Sequence, residues 1–195
     1  SSRPHQKPKG IQCFAYSIKL HKDFIDVHPT NTDLGQVHQK GGPSGSAGGF
    51  ASLPPLIQLG AKKGKFYFGW HDLSGSVNNV VDIRRDYNLA NLNDMKEKWT
   101  DVSFCLNYID KRMDVWLNGK KKHEILKSPV NFIPEKTYFK FGIYRSFIKN
   151  FKDRQKMRNK EEKMPTQIVY YDEIRRGNSI EEVDFNINPQ LKVID

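Results

Sequence analysis

Alternation of apolar and polar residues with a period of two recurs at short intervals along this chain, and it admits few architectures. From Gly10 to Leu20, Phe14, Tyr16, Ile18 and Leu20 take one face, and Cys13, Ala15, Ser17 and Lys19 take the other. From Lys65 to Trp70, Phe66, Phe68 and Trp70 oppose Tyr67, Gly69 and His71. Asp101 to Ile109 repeats the pattern through Val102, Phe104, Leu106 and Tyr108. Further strands are read at Pro55–Leu59, Val80–Arg85, Arg112–Leu117, Lys121–Leu126 and Gln167–Ile174. Turn residues separate them, and Asn118-Gly119 is the sharpest hairpin signal. Residues 86–98 are the best short helix candidate. Short strands, many turns and little helix predict an all-β chain: one domain over residues 1–195, an antiparallel β-sandwich of jelly-roll type.

The strand Thr137–Ser146 (TYFKFGIYRS) carries the most information. Period two puts Phe139, Phe141, Ile143 and Phe147 on a core face. The other face then holds Tyr138, Lys140, Gly142, Tyr144 and Ser146, two phenols and an amine around a residue without a side chain. A second polar pair, Gln36 and His38, shares a face in LGQVHQKGG, just before the glycine-rich loop 41–49. His21 to Asp33 reads as turn. Residues 149–163 hold seven basic and three acidic residues, which makes them a long loop or an exposed helical insertion.

Composition narrows the function classes. Aromatic residues are 12% of the chain, which suits broad β contact surfaces. The net charge of +10 attracts polyanions, whether acidic polysaccharide, nucleic acid or anionic membrane. No segment reaches the roughly 18 apolar residues of a membrane span, and no signal peptide begins at Ser1. GAKKGK at residues 60–65 lacks the phosphate-loop spacing and reads as a basic hairpin. No GxSxG motif is present. Cys13 and Cys105 are expected as buried free thiols, with a disulfide as the alternative if their strands are neighbours. Neither they nor the spread histidines His21, His28 and His38 suggest a metal site.

If the Gln36/His38 and Lys140/Tyr144 strands lie on the concave sheet of one sandwich, an imidazole and a phenol converge across a groove, with an amide and an amine beside them. That set suits abstraction of a proton α to a carboxylate. One group takes the C5 proton of a uronic acid, polar groups neutralise the carboxylate, and a phenol protonates the leaving glycosidic oxygen. A hydrolase would want two carboxylates instead.

The segment YFKFGIYR, residues 138–145, resembles that of heparin lyase I and, more loosely, the YFKAGxY motif of jelly-roll alginate and glucuronan lyases. LGQVHQKGGP resembles the family's Gln-x-His strand and Gly/Pro loop. GKFYFGW, KWTDVSFCLNY, MDVWLNGK and YYDEIRRGNS resemble its other strands in the same order, so the likeness runs over roughly residues 10–180. It implies a lyase cutting a uronate-containing polymer by β-elimination, with His38 as general base and Tyr144 as general acid. Gln36 would neutralise the substrate carboxylate and Lys140 would bind substrate, as would Tyr138 on the same face. Arg145, which alternation turns to the other face, is a weaker binding candidate. The resemblance implies no cofactor, leaves a role for calcium open, and makes an acidic polysaccharide the partner of a secreted or periplasmic monomer, with no nucleic acid and no membrane. Two departures stand out. The family's Gln-Trp-His-Gly reads Gln-Val-His-Gln here, and the family's earlier strands, with an Arg that pairs with the uronate carboxylate, are expected to be absent. The alternatives are a non-catalytic carbohydrate-binding sandwich and a basic nucleic-acid-binding module.

Overall fold

A computed structural model of the chain describes residues 7–40, 54–76, 79–127 and 136–191. Residues 1–6 and the glycine-rich stretch 41–49 lie outside them. Among the described residues ten strands run in the order β1 (Ile11–Leu20), β2 (Asn31–Lys40), β3 (Ile57–Lys62), β4 (Lys65–Ser76), β5 (Asn79–Asn91), β6 (Thr100–Asn107), β7 (Arg112–Leu117), β8 (Lys120–Leu126), β9 (Lys136–Ser146) and β10 (Val169–Gly177), with an α-helix, α1 (Ile148–Met157), before the last. They form two five-stranded sheets, β10-β1-β6-β7-β8 and β5-β4-β3-β2-β9. Every strand pairing is antiparallel. This is the expected sandwich, in which two sheets enclose one core.

The apolar faces read from the sequence supply that core. Phe14, Tyr16, Ile18 and Leu20 of β1 pack against Phe66, Phe68 and Trp70 of β4 and Val102, Phe104 and Leu106 of β6, all buried. Phe139 of β9 bridges the layers, with ring centroids 5.1 Å from Phe14 and 5.9 Å from Tyr16. The β7–β8 hairpin turns at Asn118-Gly119, where both residues have positive φ, 49° and 71°. A tight turn of this kind matches the right-handed twist of the strands on either side.

Four expectations need correction. Residues 86–98 are not a helix: β5 runs to Asn91, and a short 3-10 turn spans Leu92–Met95. The helix-like signal comes from Leu89, Leu92 and Met95, all buried, whose spacing of three is shared by a strand end and a 3-10 turn. The turn-like stretch ends earlier than read, because β2 already begins at Asn31. Cys13 and Cys105 are not free thiols; they sit directly opposite one another on β1 and β6 and form a disulfide. Finally, of the supposed core face of β9, Phe141 (53% exposed), Ile143 (36%) and Phe147 (69%) stand largely in solvent. β9 is an edge strand of its sheet, and an irregularity at Gly142 breaks its alternation.

Candidate active site

The polar face of the β5-β4-β3-β2-β9 sheet bears a groove of about 590 Å³. The sequence explains why its floor is polar. On β4, Tyr67, Gly69 and His71 alternate with the buried Phe66, Phe68 and Trp70. On β2, Gln36 and His38 alternate with the buried Val37. Asp33, an odd three positions before Gln36, should face the core, but a bulge intervenes. Asp33 pairs with Gly60 and Gly35 with Leu59, so Leu34 is the extra residue that opposes no partner on β3. One inserted residue reverses the sidedness of everything beyond it. Leu34 therefore enters the core, while Asp33 turns to the groove beside Gln36.

β9 answers this bulge with its own. Across the same irregularity Gly35 pairs with Phe141 and Asp33 with Tyr144, so two β9 residues, Gly142 and Ile143, stand against Leu34. Gly142 has φ +116°, a conformation that residues with a Cβ rarely adopt. The double irregularity keeps Lys140 and Tyr144 on the groove side, opposite Gln36 and Asp33 respectively.

The groove floor is a chain of hydrogen bonds across four strands. Gln36 Nε2 donates to Asp33 Oδ2 at 2.6 Å, and Gln58 Nε2 donates to the same oxygen at 2.9 Å. The Gln58 Oε1 lies 3.1 Å from His71 Nε2, and His71 Nδ1 lies 2.9 Å from Asp82 Oδ2. Both ring nitrogens of His71 thus meet oxygen acceptors. Asp33 is fully buried, and its Oδ1 has no hydrogen-bond partner among the described residues. Burial pushes its carboxyl above the ordinary value; the Gln36 bond, the Arg84 charge and the Gln58 bond oppose this without cancelling it.

Arg84 enters the groove from β5. Its Nε donates to Asp86 Oδ1 at 2.9 Å and its Nη2 to the Tyr67 hydroxyl at 2.8 Å. Burial works against ionisation of Asp86, but bonds from Arg84 and Lys62 outweigh it and hold the carboxyl below its usual range. Burial raises the Tyr67 phenol to about 12, against the pull of Arg84. The guanidinium is therefore fixed in place by two partners.

His38, Lys140 and Tyr144 line the same groove as Gln36. His38 Nδ1 is 2.9 Å from the backbone N of Gln39 and 3.0 Å from its carbonyl oxygen. The Tyr138 ring stacks on His38, centroids 5.3 Å apart, and Lys140 Nζ sits over Tyr138 at 5.1 Å. His38 is opposite Tyr138 in register, and Asp33 is opposite Tyr144. Hence His38 and Tyr144 are separated by roughly 13 Å along the ladder, a gap that a sugar ring between two long side chains can fill. Arg145 lies elsewhere, its Nη1 donating to the Pro165 carbonyl at 3.2 Å. Among the described residues, no three of His, Cys, Asp and Glu gather to hold a metal ion.

Sequence reasoning brings out Gln36, His38, Lys140 and Tyr144 but misses Asp33, Gln58, His71, Asp82 and Arg84. His71 is within reach, since alternation places it with Tyr67 and Gly69. Asp33 is hidden by the bulge. Asp82 and Arg84 lie within the strand read at Val80–Arg85 but are hidden because charged residues on an edge strand look like ordinary solvated surface.

A family described as polysaccharide lyase matches residues 4–175. No curated protein sequence matches the chain. Among solved structures, an endo-β-1,4-glucuronan lyase from the fungus Trichoderma reesei is similar, with TM-score 0.66 and 17% identity over 94% of this chain and 78% of that one. A double-cysteine variant of alginate lyase A1-II′ gives TM-score 0.55 and 14% identity, covering 92% of this chain and 66% of that one. The botulinum neurotoxin serotype D ligand binding domain in complex with N-acetylneuraminic acid gives TM-score 0.57 and 16% identity, covering 94% of this chain and 37% of that one. At these identities the likeness is one of fold.

Proposed function

The chain belongs to the polysaccharide lyase family, and on that footing we propose that it cuts a uronate-containing polysaccharide by β-elimination in the groove of the β5-β4-β3-β2-β9 sheet. The observation that carries this reading is the convergence of Gln36, His38, Lys140, Tyr144 and Arg84 on one groove. The uronate carboxylate is met by Arg84, already oriented by Asp86 and Tyr67, and by the Gln36 amide. Neutralising that carboxylate makes the C5 proton removable. In the tautomer that gives Nδ1–H to the Gln39 carbonyl, rather than the one whose Nδ1 accepts the Gln39 backbone N–H, His38 presents the Nε2 lone pair as base and takes the C5 proton. The electron pair of the C5–H bond becomes the C4–C5 double bond as the C4–O bond breaks. The Tyr144 hydroxyl gives its proton to the departing glycosidic oxygen, and Lys140 steadies the phenolate and the neighbouring anionic sugar. No water enters, so one fragment ends in a 4,5-unsaturated uronate. The glucuronan and alginate lyases of similar fold make glucuronan and alginate the first polymers to try. The experiment is a panel of acidic polysaccharides monitored in the ultraviolet: the double bond gives growing absorbance with wild-type protein and none with Tyr144→Phe.

A second reading is a carbohydrate-binding sandwich that holds an acidic sugar without turning it over. The similarity to a domain solved with N-acetylneuraminic acid favours it. Tight binding of a polymer that never acquires unsaturated ends would select it.

A further inference from the structure

Outside the groove, a basic cavity of about 550 Å³ lies between the 25–28 segment and the basic stretch that begins with α1. Arg154, Arg158, Lys160 and Lys163 line it, and none of the four makes an ion pair among the described residues. The carboxylates in its wall are Asp26 and Glu161. Asp26 is already committed to the fold, accepting from the backbone N–H of His28 at 2.9 Å and of Gly64 at 2.6 Å. Glu161 is exposed and alone against four cations. The field extends to the β3–β4 turn: burial first, then Arg154, Lys63 and Lys62, hold the His28 imidazole below its ordinary value, against the pull of Asp26. The cavity is anchored rather than loose. Phe151 buries the inner face of α1, and Arg154 Nη1 donates to the His28 carbonyl at 2.7 Å.

Its position matters as much as its charge. The groove ends at Asn31, Ser146 and Phe147. Thr30 Oγ1 donates to the Phe147 carbonyl at 3.1 Å, tying the two strands together at that end. His28 in the cavity wall precedes Asn31 by three residues, and α1 starts directly after Phe147. The basic cavity therefore opens within ~10 Å of chain from the groove's end, on the side of Tyr144.

We propose that this cavity is a second binding site for acidic polysaccharide, an exosite that grips an anionic chain beyond the sugar held in the groove. The polymer identity rests on the lyase reading; the site itself rests on the unpaired cations and their place. Continuity with the groove favours a polysaccharide over nucleic acid. Gripping a polymer at two points raises its affinity over a short fragment that reaches one, and the gain weakens with salt.

The test compares wild type with the triple variant Arg158→Ala/Lys160→Ala/Lys163→Ala, three exposed side chains whose removal leaves the core intact. Binding is measured by calorimetry to polymeric glucuronan, alginate and heparin and to their trisaccharides, at low and high salt. The preference for polymer over trisaccharide should fall about tenfold in the variant, with a shallower salt dependence. An unchanged preference overturns the exosite, as does a failure of wild type to bind any of the three polymers. Displacement of the polymers by single-stranded DNA, with the same loss in the variant, overturns the polysaccharide assignment. If the variant loses polymer preference but wild type never produces unsaturated ends, the exosite stands and the lyase mechanism falls.

Discussion

Gln36 and Asp33 lie three positions apart on one strand, yet Gln36 Nε2 donates to Asp33 Oδ2 at 2.6 Å within the same groove floor. Opposite faces of a regular strand forbid this contact; the bulge at Leu34 creates it. The consequence is a buried carboxyl group beneath the groove, and that makes Asp33 a sensitive probe of the site.

The Asp33 carboxyl is raised above its ordinary 3.8, chiefly by burial. The folded protein thus holds this proton to a higher pH than the unfolded chain does. Its contribution to stability is fully present below 3.8 and is lost as pH rises through the raised folded value. Asp33→Asn removes that loss while keeping an acceptor for Gln36 and Gln58. Denaturant melts between about pH 3 and 7 should show a smaller decline for the variant than for wild type. Equal declines would contradict the assignment.

Gly35 lies against Tyr16. A Cβ there would stand 2.8 Å from the Tyr16 hydroxyl and 3.2 Å from its ring carbons. Tyr16 cannot retreat, since its ring is packed between Phe139 and Tyr171. Gly35→Ala should cost about 1–3 kcal/mol by overpacking. Among the described residues the Tyr16 hydroxyl has no hydrogen-bond partner, so Tyr16→Phe alone should be nearly neutral. The double variant should then cost less than the sum of the two. Strict additivity in thermal melts would show that the contact is not the cause.

The Cys13–Cys105 disulfide closes a sequence separation of 92 residues. Loop closure on that scale restricts the unfolded chain strongly. The Cys13→Ala/Cys105→Ala variant should lose about 2–5 kcal/mol, read from denaturant unfolding under oxidising conditions. No loss would mean that the bond does not form in solution. The pair is also covered on its outer side by Val183 and Ile180 of the C-terminal segment, so reduction should be slow until that segment opens.

How far the sequence can be read depends on where its alternation survives. β1, β4, β6 and β7 each bury one apolar face, and each is legible as a strand. The sheet that carries the groove is harder to read. β5 is an edge strand whose Asp82, Arg84 and Asp86 look like an ordinary charged surface until the fold lays Asp82 beside His71 and Arg84 beside Tyr67. β2 and β9 are each broken by an irregularity that a period-two reading cannot place. Gln36 and His38 lie on one side of that break, so their shared face is visible. Asp33 lies on the other, so its place is not. The disulfide needs the knowledge that β1 and β6 are neighbours, which only the assembled sheet supplies. Lys140 and Tyr144 are readable as groove residues because the extra pair at Gly142 and Ile143 leaves their spacing of four on one side.

His38 and Tyr144 are the proton-moving pair of the proposed mechanism. His38→Ala and Tyr144→Phe should each lower the rate of chain cleavage by about 10²–10⁴ while polymer binding changes little, because Arg84, Gln36 and Lys140 still hold the anion. A loss of binding equal to the loss of rate would instead make both residues simple contacts with the sugar.

The central claim is elimination within this groove, and the masses of the fragments test it most directly. Wild-type protein is incubated with a defined oligosaccharide of the polymer it cuts, and the products are weighed by mass spectrometry in isotopically labelled water. Elimination predicts that the two fragment masses add up to the parent, that one fragment carries a C4–C5 double bond, and that no labelled oxygen is incorporated. Fragments that together exceed the parent by one water, with the label on the new reducing end, would contradict the account.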